Sequence, residues 1–386
     1  MELEARSSGG VDVELTSKVE SMYGESIRQC MFDGLKALGV KHAKLTVRDF
    51  GALPFTLMAR LETAVKRCLP KTVTEFLPEL AEACTYATSR ERFRRSRLYL
   101  PGNNPKFMLN AGIYGADGLI LDLEDSVAPA VKDEARLLVR NALRTIDFGG
   151  AERMVRINQL PLGLEDLAAI VPHNVHLILI PKVEDPRQVS AVDEHITKLE
   201  KQHRVTEPVL LMPILESALG MVRAYEIAVA SPRNVALTIG LEDYTADIGT
   251  QRTNDGRESF LARSQVVIAA RAAGLQPIDT VFSDVQDIEG LRASVLEAKS
   301  LGFDGKGCIH PRQIPIIHDA FAPTREELDK AQRIVAAFEE AQAKGLGVVA
   351  LGSKMIDPPV VKRAQRVVGL AKAMGLLNRQ PEGGIG

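Results

Sequence analysis

Tryptophan is missing from all 386 residues, and aromatic residues make up only 5% of them. Stacking platforms for unpaired bases are therefore scarce. A surplus of positive charge is missing as well: 48 Lys and Arg stand against 50 Asp and Glu, a formal charge of −2. Without a global positive field there is no electrostatic footprint for a phosphate backbone, and nucleic acid is not expected as a partner. Cysteine is sparse. Cys30, Cys68, Cys84 and Cys308 form no C-x-x-C pair, which argues against a zinc knuckle or a dense disulfide framework. Reduced thiols in a cytoplasmic protein are expected. No run of about 18 apolar residues occurs, so no membrane-spanning segment is expected. The start, Met1-Glu2-Leu3-Glu4-Ala5-Arg6, is acidic where a secretory signal is basic.

What is present is ordinary globular composition, 45% hydrophobic and 25% charged, over a length that suits two or three domains. From Arg95 onward short β-rich apolar runs alternate with stretches of helical periodicity, the pattern of βαβ units and a parallel sheet. The runs lie at 96–100, 118–123, 153–157, 177–180, 209–214, 235–239, 280–282 and 307–309. Even spacing of eight strands, with no G-x-G-x-x-G after the first, favours a closed (β/α)8 TIM barrel over a doubly wound sheet. The expected fold class is thus α/β: a TIM barrel with a small N-terminal α/β domain and a C-terminal helical lid extension.

The N-terminal domain is expected from strand-like runs at 11–15 and 43–47 and helix-like spans at 17–38 and 55–66. After the barrel, 324–344 reads as a helix, Gly345-Leu346-Gly347 as a break, and a last helix runs to about Met374. The expected division is 1–70, a connecting segment 71–92, a barrel 93–322 and an extension 323–386.

In such a barrel the active site lies at the C-terminal strand ends. Here those ends carry Pro101-Gly102-Asn103-Asn104, then Asp122, Glu124 and Asp125, then Arg156 and Asn158, Lys182, Glu216, Glu242 and Asp243, and His310. A ring of carboxylates interrupted by Arg and Lys suits an oxygen-ligated divalent cation with an anionic substrate. Glu216 and Asp243 end neighbouring strands, so they can converge while leaving positions for water and substrate, as Mg²⁺ prefers. Any one of these acids also suits a helix cap. Arg156 matches a carboxylate or oxyanion, and equally a barrel salt bridge with Glu124. Lys182 equally pairs with a barrel acid, His310 equally fixes a hydrogen bond, and Cys308 reads as a packed structural thiol.

At these residues the chain resembles the citrate lyase β-subunit family, which includes malyl-CoA and citramalyl-CoA lyases within the HpcH/HpaI aldolase group. The landmarks are Arg94-Arg95-Ser96, Leu121-Asp122-Leu123-Glu124-Asp125, Val155-Arg156-Ile157-Asn158 and Ile180-Pro181-Lys182. They continue with Glu216, Gly240-Leu241-Glu242-Asp243, Gly307-Cys308-Ile309-His310-Pro311 and Gly352-Ser353-Lys354-Met355-Ile356-Asp357. The resemblance implies Mg²⁺ on Glu216 and Asp243, with Glu124 beside it, Arg156 on the reacting oxygens, and Lys182, Pro101 and Gly102 at the substrate. It implies Asp357 as the acid/base carboxylate, carried on a lid from a neighbouring subunit of a trimer or hexamer; taken alone, Asp357 before Pro358 reads as a helix cap. Residues 11–67 look like the citrate lyase acyl-carrier (γ) subunit, through Ser17-Lys18-Val19-Glu20, Tyr23-Gly24-Glu25-Ser26-Ile27 and Asp49-Phe50-Gly51-Ala52-Leu53. The carrier's prosthetic-group serine lies upstream of the matched stretch, so a structural or docking role is expected for this domain.

The implied reaction is Mg²⁺-dependent cleavage of a 3-hydroxy-acyl thioester of the citryl-, malyl- or citramalyl-CoA type to a 2-oxo acid and acetyl-CoA or a related thioester. Two alternatives stand beside it: a metal-dependent aldolase acting on free 2-oxo acids, and a non-catalytic docking subunit that binds other citrate lyase-type subunits.

Overall fold

The computed structural model describes every residue except 344–348, 352–353 and 379–386. The expected break at Gly345-Leu346-Gly347, and Gly352 and Ser353 of the last landmark, lie outside the described residues. Two compact units are present, Met1–Ile317 and His318–Gly386.

The first unit opens with a three-stranded sheet of β1 (Glu2–Ala5), β2 (Val11–Ser17) and β3 (Ala43–Asp49), ordered β1-β3-β2. Helices α1 (Glu20–Ala37) and α2 (Pro54–Cys68) cover it, burying Met31, Leu35 and Leu61 against Leu45 and Val47. Strand β1 was not expected: Glu2-Leu3-Glu4-Ala5 has no apolar run and is held as an antiparallel edge on β3 by main-chain bonds.

Eight parallel strands then close into a barrel: β4 (Ser96–Pro101), β5 (Gly118–Asp122), β6 (Glu152–Arg156), β7 (Leu177–Ile180), β8 (Leu210–Leu215), β9 (Ala236–Ile239), β10 (Gln276–Asp279) and β11 (Gly305–Cys308). The TIM barrel expected from the spacing is therefore the fold. Runs such as Leu177-Ile178-Leu179-Ile180 are apolar on both faces because one side packs inside the barrel and the other under helices. The helices are α3 (Pro105–Leu109), α4 (Lys132–Thr145), α5 (Leu162–Ile170), α6 (Pro186–His203), α7 (Ala218–Val222), α8 (Ala224–Ala228), α9 (Leu241–Asp247), α10 (Arg257–Ala272), α11 (Ile288–Leu301) and α12 (Gln313–Phe321). One strand was misplaced. The seventh is 276–279, not 280–282, because the strand tolerates Pro277 and buries Asp279 against Lys306 (2.8 Å) and Arg263 (3.0 Å). Thr280 and Val281 instead lie past its end, where they line the mouth.

The N-terminal sheet and helices are fixed to the barrel through α2 and α4. Glu62 and Arg140 form a fully buried pair (2.7 Å), and Asn141 donates to the Phe55 carbonyl (3.0 Å). Burial pushes the Glu62 carboxyl up, but the hydrogen bonds and charge of Arg140 outweigh it and hold it below its ordinary value. Lys66 (2.7 Å from Glu62) and Glu75 (2.9 Å from Arg140) extend the pair into a network, and breaking such a buried pair typically costs about 3–5 kcal/mol.

Two histidines near the lower end of the barrel must stay neutral. His176 Nδ1 accepts from the Arg153 amide (3.1 Å), so Nε2 carries the hydrogen and donates to the Tyr86 carbonyl (2.8 Å). His173 lies 3.2 Å from an Arg144 nitrogen. Burial, reinforced by neighbouring arginines, pushes both imidazoles down to about 3. The folded state then binds fewer protons than the unfolded chain between that value and about 6.5, so stability falls as pH drops through this window. Each histidine contributes up to about 1.4 kcal/mol per pH unit. The urea midpoint is expected to fall between pH 7 and pH 5, with a shallower fall in His176→Gln; a flat midpoint would contradict the burial argument.

In the second unit α13 (Arg325–Ala343) packs on α14 (Pro358–Ala373), burying Ala331, Ile334 and Ala341 with Val361 and Ala364. An antiparallel hairpin of β12 (Val349–Leu351) and β13 (Lys354–Ile356), not read from the sequence, precedes α14. Among the described residues no helix is long and apolar enough to cross a membrane.

Candidate active site

A cavity of about 500 Å³ opens at the C-terminal ends of the strands. Strand β4 turns Arg97, Tyr99 and Pro101 to it with the two-residue period of a strand, and Leu100 joins the lining at the strand end. Gly102 is absent from the lining. It is buried, and a Cβ there would come 2.5 Å from the Asp122 carbonyl oxygen, so its role is close packing of β4 on the end of β5.

The centre of the site is built on Arg156. Its Nε and one terminal nitrogen grip both oxygens of buried Asp122 (2.6 and 2.8 Å), while Nη1 lies 2.9 Å from Glu124 Oε2 and 3.5 Å from Asp125. Asp122 also accepts from the amides of Glu124 (3.0 Å) and Ser126 (3.1 Å), which folds the loop after β5 around it. Burial raises the Asp122 carboxyl, but Arg156 overcomes this and holds it down; the same contacts, against burial, hold the guanidinium above its ordinary value. Arg156 is therefore locked, with Nη1 its one nitrogen outside the grip of Asp122. Glu124 Oε2 faces Nη1 without hydrogen-bond alignment, and burial raises this carboxyl despite Arg156. The salt bridge expected with Glu124 is present, but Asp122, which the sequence reading left without a role, positions the arginine.

Lys182 has a left-handed backbone (φ 50), uncommon for a residue with a side chain and enriched at functional sites. That turn aims its amide at Glu216 Oε1 (2.9 Å). Its ammonium lies among Glu124 (3.2 Å), Asp125 (3.6 Å) and Asp243 (3.6 Å). Partial burial opposes its charge, yet these acids push it up to about 12.

Glu216 is 5% exposed and, among the described residues, has no Lys, Arg or His ion pair. Burial pushes its carboxyl up to about 8, and the charges of Glu124 and Asp243 add to this. Opposite it, Gly240 leaves room for the carboxylate, since a Cβ there would come 2.3 Å from Glu216 Oε2 and displace it. Asp243 sits in the first turn of α9, half-exposed. A buried carboxylate without a cationic side-chain partner, beside a second carboxylate open to solvent, fits a divalent cation that keeps water ligands. Among the described residues no group of three His, Cys, Asp or Glu side chains is placed to hold a metal ion.

Glu242 pairs with Arg252 (2.6 Å). His310 accepts from the Arg312 amide (3.2 Å) and is absent from the cavity lining, as a fixed local element. Cys308 is buried, and burial raises its thiol to about 12, so it is packed and unreactive. In the second unit Asp357 is the exposed N-cap residue of α14, but its side chain makes no capping hydrogen bond. The carboxylate is thus not consumed by the cap that its position before Pro358 suggests.

Fold and site together define an α/β-barrel enzyme with an acid-rich mouth. Residues 95–311 match the HpcH/HpaI aldolase/citrate lyase family, and residues 1–68 match the malonate decarboxylase delta subunit (MdcD) family. The chain is 44% identical over 295 residues to citrate lyase subunit beta of Leuconostoc mesenteroides subsp. cremoris, covering 76% of this chain and 98% of that one. It is 35% identical over 303 residues to the L-malyl-CoA/beta-methylmalyl-CoA lyase of Cereibacter sphaeroides, covering 73% and 95%. Among solved structures, the Mycobacterium tuberculosis CitE protein in complex with magnesium, acetoacetate and coenzyme A superposes with a TM-score of 0.61. The identity is 32%, over 74% of this chain and 100% of that one. The chain belongs to the HpcH/HpaI aldolase/citrate lyase family and carries an acyl-carrier-like domain at its N-terminal end. It is a carbon–carbon lyase of the citrate lyase beta and malyl-CoA lyase type.

Proposed function

We propose that the chain cleaves, reversibly, a 3-hydroxy-acyl-CoA thioester to a 2-oxo acid and acetyl-CoA or a related thioester. The observation that carries this reading is the buried Glu216 carboxylate, which has no cationic side-chain partner and is aimed by the Lys182 amide beside Asp243. Glu216 and Asp243 would hold Mg²⁺, the ion present in the CitE complex. When bound, that ion supplies Lewis acidity and a template for the oxygens of the 2-oxo acid.

The protein's own groups divide the remaining work. Arg156, gripped by Asp122, offers Nη1 to the substrate hydroxyl oxygen, which carries alkoxide charge before the carbon–carbon bond breaks and becomes the carbonyl oxygen of the 2-oxo acid; a donor already fixed in place needs no reorganisation during the reaction. Glu124 sets the direction of Arg156 and Lys182, and Lys182 offsets the acids. Pro101 walls the substrate cavity, and Gly102 sets the closeness of that wall. Asp357, reaching the mouth from a neighbouring subunit of a homo-oligomer, would exchange the proton at the acetyl methyl carbon. In domain terms, 1–70 serves as a docking module joined by 71–92 to the lyase barrel 93–322, and 323–386 carries the lid.

A chelator is expected to abolish cleavage and Mg²⁺ to restore it. Cleavage that persists in excess chelator would overturn the metal assignment. Equal activity on free hydroxy acids would move the reading to a free-acid aldolase.

A further inference from the structure

Arg97 lies in the floor of the same cavity and takes no part in the chemistry above. It is 1% exposed. Its partners are weak and neutral: Met212 Sδ (3.0 Å), Thr238 Oγ1 (3.3 Å) and the Asp279 carbonyl (3.4 Å). Among the described residues its Nε has no hydrogen-bond partner. The carboxylate of Asp279 is already occupied on both oxygens by Arg263 (3.1 and 3.0 Å) and on one by Lys306 (2.8 Å). The barrel floor therefore holds more positive charge than negative, around a guanidinium that is buried without an anion. A buried charge left in this state is costly, and an anionic group that seats beside it recovers that cost.

The mouth above has the opposite balance: Asp122, Glu124, Asp125, Glu216 and Asp243 surround Arg156 and Lys182. Tyr99 stands between the two levels, two residues above Arg97 on β4, roughly 7 Å along the strand, with Arg156 5.3 Å from its ring centre. Arg97 Nη1 donates to the sulfur of Met212, an unbranched thioether that changes rotamer readily and can admit a ligand atom.

We infer that Arg97 receives a second, non-reacting carboxylate on the oxo-acid half of the substrate, so that the chain selects a dicarboxylic 2-oxo acid over pyruvate. The inference rests on the lyase reading above and deepens it by naming the substrate class. One carboxylate stays at the mouth near Arg156, and the other reaches down past Tyr99 to the floor.

The test is calorimetric binding of freshly dissolved oxaloacetate and of pyruvate in Mg²⁺ buffer to the full chain, its Arg97→Met variant and its Arg97→Lys variant. Wild type is expected to bind oxaloacetate at least about tenfold more tightly than pyruvate, as one charge-assisted contact provides. Arg97→Met should bring that ratio to within about twofold by weakening oxaloacetate alone, and Arg97→Lys should keep part of it. Thermal melting should show Arg97→Met at least as stable as wild type, since it removes an unpaired buried charge. An unchanged ratio in Arg97→Met, or equal weakening of both acids with a lowered melting temperature, would overturn the role of Arg97 while leaving the lyase reading intact. Failure of wild type to bind either acid would overturn both.

Discussion

Asp357→Asn is expected to lower turnover by about 10²–10⁴-fold, the usual contribution of a positioned general acid or base, and to leave Mg²⁺ affinity within about twofold of wild type. The substitution keeps size and backbone preference. Because the carboxylate makes no capping hydrogen bond at the start of α14, helix stability should not change, and a melting curve checks this. A loss of activity with intact folding and intact metal binding is the signature of a group that moves a proton and holds nothing together. The same variant tests the lid. If Asp357 acts in a neighbouring subunit, mixing Asp357→Asn subunits with Glu216→Gln subunits under conditions of exchange regenerates sites that carry both wild-type residues. Activity should then rise above that of either variant. Full activity in Asp357→Asn would remove it from the mechanism.

Glu216→Gln is expected to be more severe, at least about 10³-fold in turnover, because it removes the buried anion proposed to hold the metal. The fold should survive, since the amide oxygen of Gln can accept the Lys182 N–H bond that Glu216 accepts at 2.9 Å. The metal-free variant should melt no lower than wild type, because burial beside Glu124 and Asp243 already disfavours charge at this position and a neutral amide carries none. What should vanish is the rise in melting temperature on adding Mg²⁺. A variant that keeps that rise would place the metal elsewhere.

The barrel was legible because six of its strands, β4 to β9, are runs whose apolar residues cannot belong to a surface element. The reading failed where side-chain chemistry and strand geometry part company. Gln276-Pro277-Ile278-Asp279 contains a proline and a buried acid, and only the three-dimensional neighbours Lys306 and Arg263 make the acid tolerable there. Glu2–Ala5 pairs through its backbone, which leaves no apolar trace.

The site was legible as a set of strand-end residues, since strand ends converge in any such barrel. Its internal wiring was not. That Asp122 grips Arg156 while Glu124 only faces it is a matter of which oxygens reach which nitrogens, and both acids sit in one five-residue stretch. The space that Gly240 leaves serves a carboxylate on a different strand. Arg97 carried a signal that could have been used: it is a charged residue in an apolar run, two and four positions before Tyr99 and Pro101, and hence on their face of the strand.

The central claim is that the barrel mouth, in this chain alone, breaks a carbon–carbon bond in a thioester. The direct measurement is release of a 2-oxo acid, followed by a coupled dehydrogenase, when purified protein and Mg²⁺ meet citryl-, malyl- and citramalyl-CoA in turn. Release from at least one thioester, absent with its free acid and absent with chelator, is the expected result. No release from any of them until other citrate lyase-type subunits are added would contradict the claim and make the chain a component whose barrel depends on its partners.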